Sequence, residues 1–408
     1  MVVMAMISWF FSRTWLEPGS FFLLVWVLYI VIPVLVAPEN TIYTFGIWYI
    51  FSFSLAVLLG SAVWNQLEPV SRLDKALTTG ARLDRYTNTL FNFTLIFTLL
   101  SAIGVAVLLV AGIKRYNLVA ELFSLSSLPN LFYVDRDTGI FKLPWQIKGF
   151  MYFTYTASLI GGLTFKLFQD KKKLFCLIPL FIAFLYGAAL AARSGIILSV
   201  MLWLSGWLGS KVYLQDFKFR QRTVIFILLS FMIMIILFIS IKWLRSGADD
   251  PFLIMVFLDN ARISYFGHLS AFSTWLYNYH YVGLTFGANT FSGPLDWLGI
   301  IEREIGFYKE NIILANSVYT NIFTVFRGLI EDFSIPGTLV FGFGIGVLAR
   351  LAFNRCSYGQ FMWMMPLTLY YAFVLYSPII SLFNYNSAIM AWVITAIPLL
   401  LIRKKLIL

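Results

Sequence analysis

The chain has 408 residues, of which 60% are hydrophobic and 12% charged, and its formal net charge is +11. Its mean hydropathy of +0.83 is far above that of a soluble globular protein, and many apolar runs are long enough to cross a hydrocarbon core of roughly 30 Å. This composition excludes an ordinary soluble enzyme or binding domain. The positive charge fits Lys and Arg in loops that stay in the cytoplasm, so no nucleic-acid partner is expected.

About ten transmembrane helices are predicted from apolar runs of membrane length. In chain order they cover residues 20–36, 42–63, 89–112, 149–168, 174–192, 195–209, 223–241, 335–353, 361–379 and 387–402. With ten spans, the clusters of Lys and Arg in the connecting loops all fall on one side of the membrane. Because such loops stay in the cytoplasm, both termini are expected there. The predicted fold class is an all-α polytopic membrane protein.

Two loops on the opposite, external side are long, whereas the other external connections are short turns. The long loops cover residues 113–148 and 242–334, and the whole chain, 1–408, is interpreted as a single integral membrane domain. Loops of this length are usually functional or disordered. The larger loop is rich in Trp, Tyr and Phe, which favours an ordered segment with amphipathic helices and a functional role.

The apolar run FGFGIGV, residues 341–347, contains three alternating glycines. It lies inside a predicted span, and no acidic residue follows at the distance found in dinucleotide-binding fingerprints. Small residues allow the backbones of membrane helices to approach each other closely. These glycines therefore predict a face on which two helices pack.

The stretch SVYTNIFTVFRGLIEDF, residues 317–333, places one arginine and two carboxylates among apolar neighbours. A helix over 316–331 gathers its polar side chains in an arc of about 80°. These are Asn316, Thr320, Thr324, Arg327 and Glu331. A charge at the bilayer centre costs roughly 2.5–3.5 kcal/mol, so this amphipathic helix is expected outside. Arg327 and Glu331, four residues apart, either pair with each other, or Arg327 faces a polyanionic ligand that suits its fork of donors.

Other residues on the external side are further candidates. Arg193 lies at the external end of a predicted span, where the charge rule that sets membrane topology does not require an arginine. Its side chain either snorkels to the interface or has a function. Arg262, Tyr265 and His268 are spaced to share a broad face of one helix. His268 is either a general base or a hydrogen-bonded interfacial residue. Arg245 is a weaker candidate that either caps a span or joins the site.

Three motifs resemble those of the Wzy family, the polymerases of O-antigen and capsular oligosaccharide repeat units. They are ARSG at the start of a span, RISYFGHLSAF in the external loop, and NSVYTNIFTVFRGLIEDF leading into a glycine-containing span. The arrangement is also similar, with many spans and a large external loop before the last three. One departure is that Ser334 stands where a glycine is usual after EDF, and Gly337 follows later.

The resemblance implies a GT-C-type glycosyltransferase of the bacterial inner membrane that works on the periplasmic face. It would need no metal, nucleotide sugar or other cofactor. Its substrates would be repeat units linked to undecaprenyl diphosphate, and the growing chain would leave its lipid diphosphate to join a new lipid-linked unit. The implied partners are this lipid-linked oligosaccharide, the lipid bilayer and a chain-length-determining co-polymerase.

The resemblance also suggests roles for the candidate residues. Fixed cations stabilise the charge of a departing diphosphate, and the choices here are Arg193, Arg262 and Arg327. A base or orienting group acts on the acceptor hydroxyl, and the choices are Glu331, His268 and, third, Asp332. Other substrate contacts are expected from Tyr265, Tyr319, Asn316 and Arg245.

Three other classes of protein remain open on the sequence. An O-antigen ligase has similar topology and chemistry but transfers the finished glycan to lipid A-core. A flippase or other transporter of lipid-linked oligosaccharides commonly shows inverted repeats and interrupted spans, and neither is apparent in this sequence. A non-catalytic assembly scaffold does not account for the external arginines.

Overall fold

The computed structural model describes residues 1–63, 81–118, 127–138, 145–168, 171–218, 252–281, 283–302 and 308–407. The first helices are α1 (Val2–Ser12), α2 (Pro18–Val36), α3 (Thr44–Val63), α4 (Ala81–Arg115), α5 (Leu128–Asp137), α6 (Trp145–Phe165), α7 (Ile178–Ala189) and α8 (Arg193–Tyr213). The later helices are α9 (Phe252–Tyr265), α10 (His268–Tyr277), α11 (Ser292–Trp297), α12 (Thr324–Ser357), α13 (Met364–Tyr376) and α14 (Asn386–Ile407).

Short elements complete the described part of the chain. Two-residue strands β1 (Ile312–Ile313) and β2 (Tyr319–Thr320) pair in antiparallel fashion, with Ile312 opposite Thr320. The 3-10 helices are Lys171–Leu177, Ala315–Ser317, Phe361–Trp363 and Leu382–Asn384. The predicted helical class is therefore confirmed for the described residues.

Six helical segments within the described residues are long and apolar enough to cross a membrane. They are Pro18–Val36, Thr44–Val63, Thr87–Arg115, Lys171–Ala189, Arg193–Tyr213 and Thr324–Ser357. Each overlaps one of the predicted spans, so the transmembrane character inferred from composition agrees with the fold.

The other predicted spans correspond to helices less fully. The span 149–168 falls largely on α6, and the spans 361–379 and 387–402 fall on shorter apolar helices, Phe361–Tyr376 and Asn386–Ile402. The span 223–241 lies outside the described residues. The number of spans and the location of the termini therefore stay predictions.

The chain divides into two compact units. The first consists of Met1–Leu77, Val212–Phe217 and Ile254–Ile389, and the second of Thr78–Lys211, Lys218–Leu253 and Met390–Leu408. Helices α1 to α3 and α10 to α13 belong to the first unit, as do both strands. Helices α4 to α8 belong to the second.

Phe326 of α12 lies in a buried aromatic cluster in the first unit. Its ring centroid is 4.7 Å from that of Trp26, 5.0 Å from that of Phe53 and 5.6 Å from that of Phe272. These rings come from α2, α3 and α10, so four helices meet around one side chain. Aromatic pairs at such distances contribute about 0.5–1.5 kcal/mol beyond their buried area. Because Arg327 follows Phe326, the cluster fixes the place at which the arginine side chain begins.

Close helix packing through glycine joins α12 to α3. A Cβ added at Gly346 would collide with the Val57 carbonyl oxygen, and one at Gly342 would come within 3.1 Å of the Phe53 ring. Gly344, between them, has nothing within 4 Å in the described part of the chain. The predicted packing face is confirmed for Gly342 and Gly346, the two glycines that face α3.

The second unit is held together by hydroxyl contacts and glycines. Ser101 Oγ of α4 lies 2.6 Å from Thr154 Oγ1 of α6, and a Cβ at Gly162 would collide with the Trp203 carbonyl oxygen of α8. The Trp203 indole N–H donates to the Cys176 carbonyl oxygen at 2.8 Å. These are the small-residue and hydrogen-bonded contacts by which helices associate in lipid, where apolar burial drives little.

Helix α12 is bent at Ser334, whose φ of 63° and ψ of 172° lie in a region populated almost only by glycine. Pro336 follows and lacks the backbone N–H that would continue the helical ladder. The bend separates the predicted external loop 242–334 from the predicted span 335–353. The serine thus stands at a position where the backbone favours glycine.

Ser334→Gly is expected to stabilise the protein by about 1 kcal/mol. Strain of about 1–3 kcal/mol at Ser334 is relieved, partly offset by the greater freedom of glycine in the unfolded chain. Thermal unfolding of the purified full-length protein in detergent measures the effect. Ser334→Ala is the matched control, since it keeps the strain and loses the hydroxyl that accepts a 3.5 Å hydrogen bond from Gly337 N–H. A lower unfolding temperature for Ser334→Gly than for wild type would contradict this account.

Buried ion pairs mark both ends of α12. Arg327 Nε lies 3.0 Å from Glu331 Oε1 near the start, and Arg350 Nη1 lies 3.4 Å from Glu17 Oε1 near the end. The bend at Ser334 lies between the two pairs.

Candidate functional site

The predicted helix over 316–331 is only partly present. Helix α12 begins at Thr324, whereas Asn316 sits in a 3-10 turn with φ of 52° and Thr320 lies in strand β2. Asparagine tolerates this left-handed conformation better than most residues, and the strand pairing then redirects the chain. The prediction is therefore wrong for residues before 324, and Asn316 and Thr320 do not share a helical face with Arg327.

Arg327 forms two ion pairs with carboxylates from different elements. Its Nε donates to Glu331 Oε1 at 3.0 Å, and its Nη2 lies 2.8 Å from Glu310 Oε2. The Arg327 side chain is only 10% exposed, compared with 21% for Glu331 and 67% for Glu310. The pairing of Arg327 with Glu331, one of the two predicted alternatives, is confirmed.

Three aromatic rings surround the Arg327 guanidinium. Its carbon lies 4.1 Å from the ring centroid of Tyr308, 4.3 Å from that of Phe323 and 5.2 Å from that of Trp275. A cation over aromatic faces is attracted by about 0.5–2 kcal/mol, with the larger values at desolvated sites. The rings therefore hold the guanidinium in a fixed place with little water around it, which strengthens its interaction with any nearby anion.

One donor of the Arg327 guanidinium has no protein acceptor. Nη1 is buried and makes no hydrogen bond within the part of the chain that the structure describes. A buried charged donor without a partner is costly, and guanidinium donors match pairs of phosphate or carboxylate oxygens. The site therefore retains capacity to bind an oxyanion next to its two carboxylates.

Glu331 is held in place on both sides of its carboxylate. Oε1 accepts from Arg327, and Oε2 accepts from the Asn289 side-chain amide at 2.9 Å. Asn289 lies beside Gly328, where an added Cβ would be in ordinary contact with the Asn289 Cβ at 3.5 Å. Glu331 is thus an oriented and partly exposed carboxylate, which is the geometry that a general base needs.

Asp332, the next residue, has a different environment. It is fully buried, and its Oδ1 accepts from the Thr285 hydroxyl at 2.5 Å and the Asn289 backbone N–H at 3.0 Å. Its Oδ2 accepts from the Thr290 backbone N–H at 2.6 Å. Asp332 therefore fastens the turn 285–290 to α12, and its carboxylate is fully engaged in doing so.

Arg262, predicted to bind the diphosphate, is engaged by two other carboxylates. Nη1 and Nη2 each donate to Glu39 at 2.9 Å, and Nη2 also donates to Asp259 at 2.6 Å. Hydrogen bonding to Arg262 lowers the pKa of Glu39. The Asn316 side-chain amide joins the same group by donating to Asp259 at 3.0 Å. Within the described residues this network has no partner in common with that of Arg327, and it ties α9 to the turn after α2.

His268 lies on a separate helix from Arg262 and Tyr265, so the prediction of one shared helix face is wrong. Helix α9 ends at Tyr265, and α10 begins at His268 after Gly267. A Cβ at Gly267 would collide with Leu314, so this position requires a glycine, and glycine weakens a helix.

The His268 ring is a buried, hydrogen-bonded group. It is only 7% exposed, and its Nε2 lies 3.2 Å from the Tyr29 carbonyl oxygen, to which it must donate because a carbonyl only accepts. Burial lowers the pKa of His268 to about 4. A neutral ring that holds α10 to α2 accounts for these contacts.

Four predicted candidates remain, namely Arg193, Tyr265, Tyr319 and Arg245. Arg193 is the first residue of α8 in the second unit, where the positive end of the helix dipole disfavours a cation. Tyr265 is half-buried at the end of α9, and Tyr319 in β2 is 62% exposed. Arg245 lies outside the described residues.

Residues that the sequence did not suggest complete the site. Glu310, Asn289, Trp275, Tyr308 and Phe323 all contact Arg327 or Glu331. They come from four separate stretches of the chain, and none but Phe323 has a regular spacing to Arg327. Their only sequence signal is the aromatic richness of the loop.

The fold and the site describe a helical protein with membrane-length apolar helices and an arginine–carboxylate group at the start of one of them. Comparison with protein-family models, curated proteins and solved structures gives no match.

Proposed function

We propose that the protein is a glycosyltransferase of the bacterial inner membrane that polymerises lipid-linked oligosaccharide repeat units on the periplasmic face. The donor is a glycan chain on undecaprenyl diphosphate, and the acceptor is a repeat unit on a second undecaprenyl diphosphate. The product is a longer lipid-linked chain of the O-antigen or capsular type.

The observation that carries this proposal is the setting of Arg327. The guanidinium is buried among aromatic rings, keeps one donor without a protein acceptor, and sits at the start of a membrane-length helix. A lipid diphosphate places its anionic head at the membrane surface, where this arginine is expected to lie. A fixed, desolvated cation stabilises the charge that develops on such a leaving group.

The reaction also needs a group that takes the proton of the acceptor hydroxyl, and the carboxylate beside Arg327 can do so. We assign Glu331 as the base. The acceptor hydroxyl oxygen attacks the anomeric carbon, the bond from that carbon to the diphosphate oxygen breaks, and the diphosphate leaves with the electron pair. The hydroxyl proton passes to Glu331. Asp332 and His268 are not assigned to this step, because both side chains are buried, whereas the Glu331 side chain is 21% exposed.

Exposed aromatic side chains on the stretch that leads to the site suit the sugar part of the substrate. Phe286 is 80% exposed although its backbone N–H donates to the Asp332 carbonyl oxygen at 3.2 Å. Tyr281 is 67% exposed. Aromatic faces pack against the apolar faces of sugar rings, and rigid aromatic side chains do so at small entropic cost.

The experiment is to delete the gene, restore it on a plasmid, and separate the cell-surface glycans on a gel. The deletion strain is expected to show core carrying a single repeat unit, and the restored strain a ladder of longer chains. Bare core in the deletion strain, without a single-unit band, would contradict the polymerase function and favour a ligase or a flippase. An unchanged ladder in the deletion strain would exclude all three.

A further inference from the structure

The two carboxylates that contact Arg327 are held very differently. Glu331 lies on the same helix as the arginine, is mostly buried, and has its second oxygen fixed by Asn289. Glu310 lies on the loop before β1 and is 67% exposed. Within the described residues its contact with Arg327 is the one polar contact that its side chain makes.

An ion pair with such an exposed partner is weak. Water competes for the Glu310 carboxylate, and holding a long side chain in one rotamer costs entropy. Glu310 is also repelled by Glu331, because both carboxylates approach one guanidinium. Glu310 is therefore the partner that leaves Arg327 most easily.

The atoms that Glu310 contacts are those that a phosphate needs. Its Oε2 is 2.8 Å from Nη2, and the neighbouring Nη1 is the buried donor without a protein acceptor. An oxyanion in place of Glu310 could bind Nη2 and Nη1 together in the bidentate geometry that guanidinium favours. A diphosphate also carries more negative charge than one carboxylate, so it competes well for a cation in a water-poor site.

We infer that Glu310 holds the position of a substrate phosphate oxygen, and that the lipid diphosphate displaces it on binding. Glu310 then competes with anions for Arg327, so an anion must bind strongly enough to displace it. Multiply charged diphosphates do so more readily than singly charged anions. This inference rests on the proposed function, since it names the place on Arg327 at which the diphosphate binds.

Binding of inorganic pyrophosphate and of farnesyl diphosphate to the purified full-length protein in detergent, followed by calorimetry, tests the inference. Glu310→Gln keeps the size of the side chain and removes its charge, and it is expected to bind both probes about two- to fivefold more tightly than wild type. Glu302→Gln is the matched control, because Glu302 is an exposed carboxylate of the same loop that does not contact Arg327. Its affinity is expected to equal that of wild type.

The outcomes separate the two claims. Equal affinity of Glu310→Gln and wild type, together with a large loss in Arg327→Gln, overturns the displacement and leaves the diphosphate site standing. Tighter binding in both Glu310→Gln and Glu302→Gln also overturns it, because net charge alone then explains the gain. Unchanged affinity in Arg327→Gln removes the basis of the proposed function itself. Equal binding of the two probes shows that the diphosphate, and not the lipid, is recognised.

Discussion

Arg327→Ala is expected to abolish the glycan ladder and to slow chain extension at least about 100-fold, the usual effect of removing one donor to a developing negative charge. Arg327→Lys keeps the charge but loses the planar fork of donors, so a rate between those of wild type and Arg327→Ala is expected. The measurement is the length distribution of glycans on a gel from the deletion strain that carries each variant, normalised to the protein level on a blot.

Arg350→Lys is the matched control for the Arg327 variants. Arg350 lies on the same helix and is also part of a buried ion pair, at 3.4 Å from Glu17, but it is close to the other end of α12. Its variant is expected to keep the ladder once protein level is taken into account. A full ladder from Arg327→Ala at a normal protein level would show that the arginine only holds Glu331, and the diphosphate role would be lost.

Asp332→Ala is expected to destabilise the protein by about 3 kcal/mol or more. The substitution leaves the backbone N–H groups of Asn289 and Thr290 and the hydroxyl of Thr285 without their acceptor, and each buried unpaired group costs about 1–3 kcal/mol. The turn 285–290 then detaches from α12. Thermal unfolding in detergent and the amount of protein in the membrane measure the loss.

Glu331→Gln, one residue earlier, is the comparison for Asp332→Ala. Glutamine keeps a similar volume and one oxygen, which can accept from Asn289 or from Arg327 but not from both, so a smaller loss of stability than in Asp332→Ala is expected. Chain extension is nevertheless expected to fall about 100-fold or more, because an amide cannot accept the proton of the acceptor hydroxyl. The assignment of the two carboxylates is reversed if Asp332→Ala is stable but inactive and Glu331→Gln is unstable.

Structural features that follow from periodic patterns in the sequence were predicted well. The apolar runs gave the membrane-length helices, and the four-residue spacing of Arg327 and Glu331 gave an ion pair that the structure contains. The predicted end of the external loop, at residue 334, coincides with the bend at Ser334. These features depend on a single helix, so their signal lies within one stretch of the chain.

Features that depend on contacts between distant stretches were not predicted. Glu310 contacts Arg327, and Asn289 contacts Glu331, both from loops. No periodic pattern in the sequence indicates these contacts. The four-residue spacing of polar Asn316 and Thr320 fits a helical pattern. In the structure, Asn316 instead has a left-handed conformation and Thr320 pairs in a strand. Gly267, in contrast, was a visible signal for the helix break before His268, because glycine interrupts helical patterns.

The most direct test of the polymerase is reconstitution. The purified protein is placed in liposomes with one lipid-diphosphate-linked repeat unit, and the products are separated by gel and mass spectrometry. Wild type is expected to give lipid-linked chains of two or more repeat units together with released lipid diphosphate, and Arg327→Ala is expected to give neither product. Absence of chains longer than one unit with folded wild-type protein, or equal yields from wild type and Arg327→Ala, would contradict the proposed function.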